Sequence, residues 1–137
     1  MMDLSDIHFH LVDDNDIDIS VNVKLLHLAK ISEHISTYSS AVKFLADMRE
    51  HPEVFASGRH IVLLDIMMPV MDGFECLAEL EKADSKLTSN MHVFMLSSSI
   101  DRNNISRAEK FAIVKRVIEK PLDVYLLKMA LEELFSE

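Results

Sequence analysis

Four places in this chain of 137 residues set acidic, hydroxyl or cationic side chains at or just beyond the end of a short apolar or β-rich run. Asp13-Asp14 follows Ile7 to Val12, and Asp65 follows His60 to Leu64. Ser97-Ser98 follows Met91 to Leu96, and Lys120-Pro121 follows Val114 to Glu119. If these runs are neighbouring strands, three carboxylates, a hydroxyl and an ammonium converge at one end of a sheet. Carboxylates so close repel one another, and the usual remedy is a hard divalent cation with oxygen ligands and water, for which Mg²⁺ is the natural candidate. The ion and Lys120 would together neutralise incoming phosphoryl oxygens. An aspartate in that setting can attack phosphorus and form an acyl phosphate.

The elements that must hold these groups follow from periodicity. IHFHLV (Ile7 to Val12) reads as a strand, and Asp16 to Ser32 as a helix with Ile17, Val21, Leu25 and Leu28 at helical spacing. Ile35 to Tyr38 is a weak strand, followed by an amphipathic helix marked by Ala41, Phe44, Leu45 and Met48 that ends near His51-Pro52. His60 to Leu64 is continuously apolar after its histidine, as a strand covered on both faces of a parallel sheet requires, and Asp72-Gly73 leads into a helix from Phe74 to Lys82. Met91 to Leu96 is a strand and about Arg102 to Phe111 a helix. Val114 to Glu119 is the fifth strand, and Leu122 to Phe135 a closing helix with Leu126, Leu127, Ala130, Leu131 and Leu134 along one side. Five strands alternating with five helices call for a doubly wound α/β sheet, because parallel neighbours need crossovers that cover both faces. Ligands of such sheets gather at the carboxyl ends of the strands. The reading uses residues 1–137 as one domain and leaves none for an output domain.

Composition narrows the function. With 2 Gly the chain cannot form a glycine-rich nucleotide cradle. The formal charge of −9 disfavours nonspecific attraction to nucleic acid or anionic lipid, so a partner is expected to offer an apolar or basic face. The Met1-Met2-Asp3 start lacks a basic region and a long apolar segment, and runs such as Ile61 to Leu64 are short, which suggests a cytoplasmic protein with no membrane partner. Cys76, the lone cysteine, reads as an apolar filler on a helix. His8 and His10 share one strand face, a spacing that suits a metal, yet the sequence shows no obvious third ligand. Asp14, Asp16 and Asp18 alternate like a calcium loop, but Ile19 and Leu25 stand where that loop needs Gly and Glu. Asp16 and Asp18 are better placed to favour a helix N-terminus. Met67, Met68 and Met71 read as packing for the loop beside Asp65.

The segment LLDIMMPVMDG (Leu63 to Gly73), with the Asp13-Asp14 pair, FMLSSS and EKPL, resembles the receiver domains of two-component response regulators over essentially the whole chain. The resemblance implies a flavodoxin-like sheet of order 2-1-3-4-5 with Asp65 as the phosphorylated residue. It implies that Asp13 and Asp14 serve Mg²⁺ and that Met67 offers the ion a backbone carbonyl. Pro69 and Gly73 would shape the loop, Ser97 would be the Ser/Thr switch position and Lys120 the phosphate-contacting lysine. Partners implied are a histidine kinase or phosphotransfer protein as donor and a separate downstream effector, reached through the fourth main helix, the fifth strand and the closing helix. The domain would then not be an enzyme in the usual sense, only a phosphoacceptor that catalyses its own loading and resetting. One departure is Val117, where the family often has a Tyr or Phe switch residue. Two other readings remain: an aspartyl phosphatase using Asp14-Asn15-Asp16, which lacks a cap insert, and a pseudo-receiver that binds a partner without phosphorylation.

Overall fold

The computed structural model describes residues 4–136. The leader-free start read at Met1 to Asp3 therefore lies outside the described residues. The element order is β1 (Ile7–Val12), α1 (Asp16–Leu28), β2 (Ile35–Tyr38), α2 (Ala41–Glu50), α3 (Pro52–Phe55), β3 (Arg59–Asp65), α4 (Gly73–Lys82), α5 (Ser85–Thr88), β4 (Met91–Ser97), α6 (Arg102–Glu109), β5 (Val114–Glu119) and α7 (Val124–Phe135). All strands pair in parallel in the order β2-β1-β3-β4-β5, the flavodoxin-like doubly wound sheet expected from the sequence.

Side-chain alternation divides the interior between the two faces of the sheet. Ile7, Phe9, Leu11, Ile61, Leu63, Phe94, Leu96 and Ile118 form one core with Leu26 of α1 and Leu127 and Leu131 of α7. Val12, Val62, Leu64, Val93 and Met95 form the other with Phe44, Leu45 and Met48 of α2, Phe55 of α3 and Phe74, Cys76 and Leu77 of α4. Burial pushes the Cys76 thiol up to about 12, so it packs as the expected inert filler.

Three details differ from the sequence reading. First, α1 stops at Leu28 instead of running to Ser32, because Lys30 takes a positive φ of 54° and turns the chain toward β2. Second, the inward side of α1 is not the Ile17, Val21, Leu25, Leu28 stripe. Asn22 and Leu26 are buried, while Ile17 and Leu28 are 74% and 79% exposed. Leucine and isoleucine on both sides of this helix hide which side meets the sheet. Third, two extra single-turn helices, α3 and α5, fill stretches read as connections. Pro52 pre-sets the first turn of α3 and Phe55, fully buried, fastens it.

Candidate functional site at the carboxyl ends of the strands

Register brings the polar strand ends together. Val12 lies beside Leu64 and Asp65 beside Leu96, so Asp13, Asp65 and Ser97 emerge from three adjacent strands. Lys120 follows β5, its backbone N–H donating to the Ser97 carbonyl at 2.8 Å, and its peptide bond to Pro121 is cis. The Lys120 Nζ stands 3.1 Å from Asp13 Oδ2 and 3.4 Å from Asp65 Oδ1. Its shortest ion pair, 2.9 Å, is with Asp18 Oδ2. The sequence reading gave Asp18 only a helix-dipole role; its position in the first turn of α1, after a strand ending in two aspartates, was the available signal. The pK of Lys120 lies above its ordinary value: burial opposes the charge, but hydrogen bonds to Asp18 and Asp13 and the charge of Asp65 outweigh it.

Asp13 is held at both carboxylate oxygens, because the Asn15 N–H donates to Oδ1 at 2.9 Å and Lys120 occupies Oδ2. Asn15 in turn caps α1, accepting from the Ile17 and Asp18 N–H groups, so cap and acidic pair form one rigid turn. Asp65 is 4% exposed, and burial together with the Asp13 charge raises its pK to about 6. One ammonium does not fully compensate two buried carboxylates. Asp13, Asp14 and Asp65 place carboxylate oxygens within 4.8 Å of one another, with Asp14 exposed. An all-oxygen donor set with excess negative charge suits a hard divalent cation, so these three residues fit Mg²⁺.

The loop after β3 is fixed by close packing. A Cβ on Gly73 would stand 2.7 Å from the Asp65 carbonyl oxygen and 3.0 Å from Ile66 Cα, so only glycine lets α4 start here. The Gly73 N–H donates to the Ile66 carbonyl at 2.9 Å. The Asp72–Glu75 capping box closes the helix end. Of the loop methionines, Met68 is buried and Met71 packs on the core, whereas Met67 is 72% exposed. Packing therefore explains two of the three. Val70, 93% exposed, has a positive φ of 70°, an unusual conformation for a β-branched residue.

Ser97 is buried at the end of β4, but its hydroxyl is turned to its own loop, donating to the Ser99 carbonyl at 2.5 Å and accepting from the Ser99 N–H at 3.3 Å. Val117 lies half-buried along a groove of about 260 Å³ between α6 and β5, lined also by Ile105, Ala108 and Val114.

Comparison with known proteins bears on the family and the fold. The family described as the response regulator receiver domain matches residues 9–132. A two-component response regulator from Cytophaga hutchinsonii superposes with a TM-score of 0.87 at 23% identity, over 97% of this chain and 99% of its own. A response regulator receiver protein from Dyadobacter fermentans gives 0.83 at 26% identity, over 96% and 99%. CheY in the CheX-CheY-BeF3-Mg²⁺ complex of Borrelia burgdorferi gives 0.74 at 22% identity, over 96% and 90%. None of the curated proteins compared matches the chain.

Proposed function

The chain belongs to the response regulator receiver domain family, and from that premise we propose that it is a phosphoacceptor in which Asp65 takes a phosphoryl group from a phosphohistidine on a histidine kinase or phosphotransfer protein. The observation that carries this reading is the placing of one ammonium, Lys120 Nζ, within 3.4 Å of carboxylates just past β1, in the first turn of α1 and at the end of β3. In the transfer a carboxylate oxygen of Asp65 bonds to phosphorus as the donor P–N bond breaks, and the departing imidazole nitrogen keeps that electron pair. Asp13, Asp14 and Asp65 would hold Mg²⁺, with Met67 offering its carbonyl. The ion would supply positive charge to the phosphoryl oxygens in the transition state.

The chain's own residues do the rest. Gly73 and the Asp72 cap fix the backbone around the nucleophile, and Asn15 fixes Asp13. Lys120, freed from its share of Asp65, turns to the new phosphoryl oxygens, and Ser97 exchanges its Ser99 carbonyl for the same target. These two movements pull on the ends of β4 and β5 and so bias the surface of α6, β5 and α7 between two arrangements, changing its affinity for a separate effector. Val117 packs in the groove where the family's aromatic switch would swing, so the Ser97 and Lys120 movements carry the change. Water returns the acyl phosphate to the carboxylate, which makes the domain a self-resetting switch and not an enzyme acting on a separate substrate.

The charge of −9 and the apolar Ile17 and Val21 on α1, beside the acidic end, suit a donor with a basic and apolar face. No helix of the described residues is long and apolar enough to cross a membrane. Intact mass after incubation with acetyl phosphate tests the reading. It predicts a gain of one phosphoryl group that needs Mg²⁺ and disappears in Asp65→Asn. Gain without Mg²⁺, or gain in the variant, contradicts it, and no gain in the wild type favours the pseudo-receiver.

A further inference from the structure

A second polar cluster lies on the same strands, further toward their amino ends and on the opposite sheet face. His8 and His60 are register partners on β1 and β3, and His10 follows His8 on the same face. Their ligand nitrogens all lie within 4.8 Å of one another. His60 supplies the third imidazole that His8 and His10 lack in sequence, and only strand pairing reveals it.

The hydrogen bonds of the two buried members do not balance. His60 Nε2 lies 2.7 Å from the Ser57 carbonyl, His60 Nδ1 lies 3.0 Å from His10 Nε2, His10 Nδ1 lies 3.3 Å from the Tyr38 hydroxyl, and that hydroxyl donates to Asp47 Oδ2 at 2.5 Å. A carbonyl at one end and a carboxylate at the other only accept. With one proton on each ring and one on the hydroxyl, His60, His10 and Tyr38 bring three protons to these four contacts. If each end takes its proton, the remaining one serves either the His10–Tyr38 contact, which leaves the lone pairs of His10 Nε2 and His60 Nδ1 facing each other, or the His10–His60 contact, which leaves His10 Nδ1 facing the Tyr38 oxygen.

We infer that His8, His10 and His60 form a binding site for a borderline divalent transition ion, with Zn²⁺ the best fit to three imidazole nitrogens. With the His10 proton on Nδ1, such an ion fills the gap between the two lone pairs. Tetrahedral ligand nitrogens about 2.0–2.1 Å from zinc stand roughly 3.3 Å apart, close to the His10–His60 separation of 3.0 Å. The partners a ligating histidine needs on its other nitrogen are already present: the Ser57 carbonyl for His60, and the Tyr38–Asp47 pair for His10. His8, half-buried and held by Ser36 Oγ at 2.7 Å, is the exposed member and the route of entry. The three oxygen-donor carboxylates near Lys120 prefer Mg²⁺, so the two sites differ in ion class.

The test is a titration of chelator-stripped protein with Zn²⁺ in excess Mg²⁺, by calorimetry, repeated with Co²⁺ to read its visible absorption bands. One Zn²⁺ per chain and intense tetrahedral Co²⁺ bands are expected. Affinity should fall at least tenfold in His8→Ala and in His60→Gln, about tenfold in Tyr38→Phe, and stay unchanged in His27→Gln on the surface. His8→Ala leaves the buried pair in place, so it decides the matter even where His60→Gln does not fold. No Zn²⁺ binding by the wild type overturns the site, as does undiminished binding in His8→Ala or octahedral Co²⁺ bands.

Discussion

β1 and β3 carry two polar clusters of opposite character. At their carboxyl ends Asp13 and Asp65 are buried as charges, and the fold answers with Lys120 at 3.1 and 3.4 Å. Three residues earlier on β1, on the other face, His10 is buried as a neutral ring that meets a carboxylate only through Tyr38. Buried ionised groups need a counter-charge close by, whereas a neutral imidazole needs only hydrogen-bond partners. The first cluster is therefore under electrostatic tension that a phosphoryl group or cation can release. The second is packed in a stack with Phe55 and is short only of one proton, or an ion, among its hydrogen-bond contacts.

The largest separation between the two clusters is chemical. Asp65→Asn should abolish acyl-phosphate formation from acetyl phosphate, while His8→Ala should leave its rate within about twofold, both read by intact mass over time. Loss of labelling in His8→Ala would show that the clusters are coupled.

Next in size is the energetic contrast. Lys120→Ala strips the counter-charge from Asp13 and Asp65 and should destabilise the Mg²⁺-free domain by about 3 kcal/mol at neutral pH, as expected for breaking a buried ion pair. Added Mg²⁺ should restore much of that. Labelled Lys120→Ala should also fail to show the wild-type chemical-shift changes along α6, β5 and α7.

The acidic end should dominate the pH dependence between about 4 and 6. With Asp65 raised to about 6 from 3.8, the folded state binds a proton more tightly than the unfolded chain. Without Mg²⁺, this contribution is fully present below the unfolded value and is lost as pH rises through about 6. It amounts to about 3 kcal/mol. Asp65→Asn should flatten that part of the denaturation profile, and saturating Mg²⁺, which favours the carboxylate, should flatten it too. A profile unchanged in Asp65→Asn would remove Asp65 as the source of the tension.

The smallest effect is local to the loop. Val70→Asn relieves a β-branched residue of a positive φ and should stabilise the domain by about 1 kcal/mol with little effect on labelling, measured by urea denaturation.

The same two clusters mark where sequence was sufficient and where it stopped. Asp13, Asp65 and Lys120 each close or follow an apolar or β-rich run, and a parallel sheet sends all such ends to one edge, so their meeting follows without coordinates. The third histidine was hidden because it depends on the His8–His60 register, which no local pattern encodes. Asp18 was half hidden: its place at a helix start was legible, but its reach to Lys120 depends on how α1 lies over the sheet. The inward side of α1 was misread for the same reason, since Ile17, Val21 and Leu28 outrank buried Asn22 on any hydrophobic scale. The Ser97 hydroxyl, turned to Ser99, is a rotamer choice that sequence does not state.

The central claim, that Asp65 is the nucleophile, is tested most directly by trapping the bond it forms. Borohydride reduces an aspartyl acyl phosphate to homoserine, and peptide mass spectrometry then locates it. After acetyl phosphate and Mg²⁺, the account predicts homoserine at position 65 and at no other aspartate. Homoserine at Asp13 or Asp14, or phosphate retained on a serine or histidine after reduction, would contradict it.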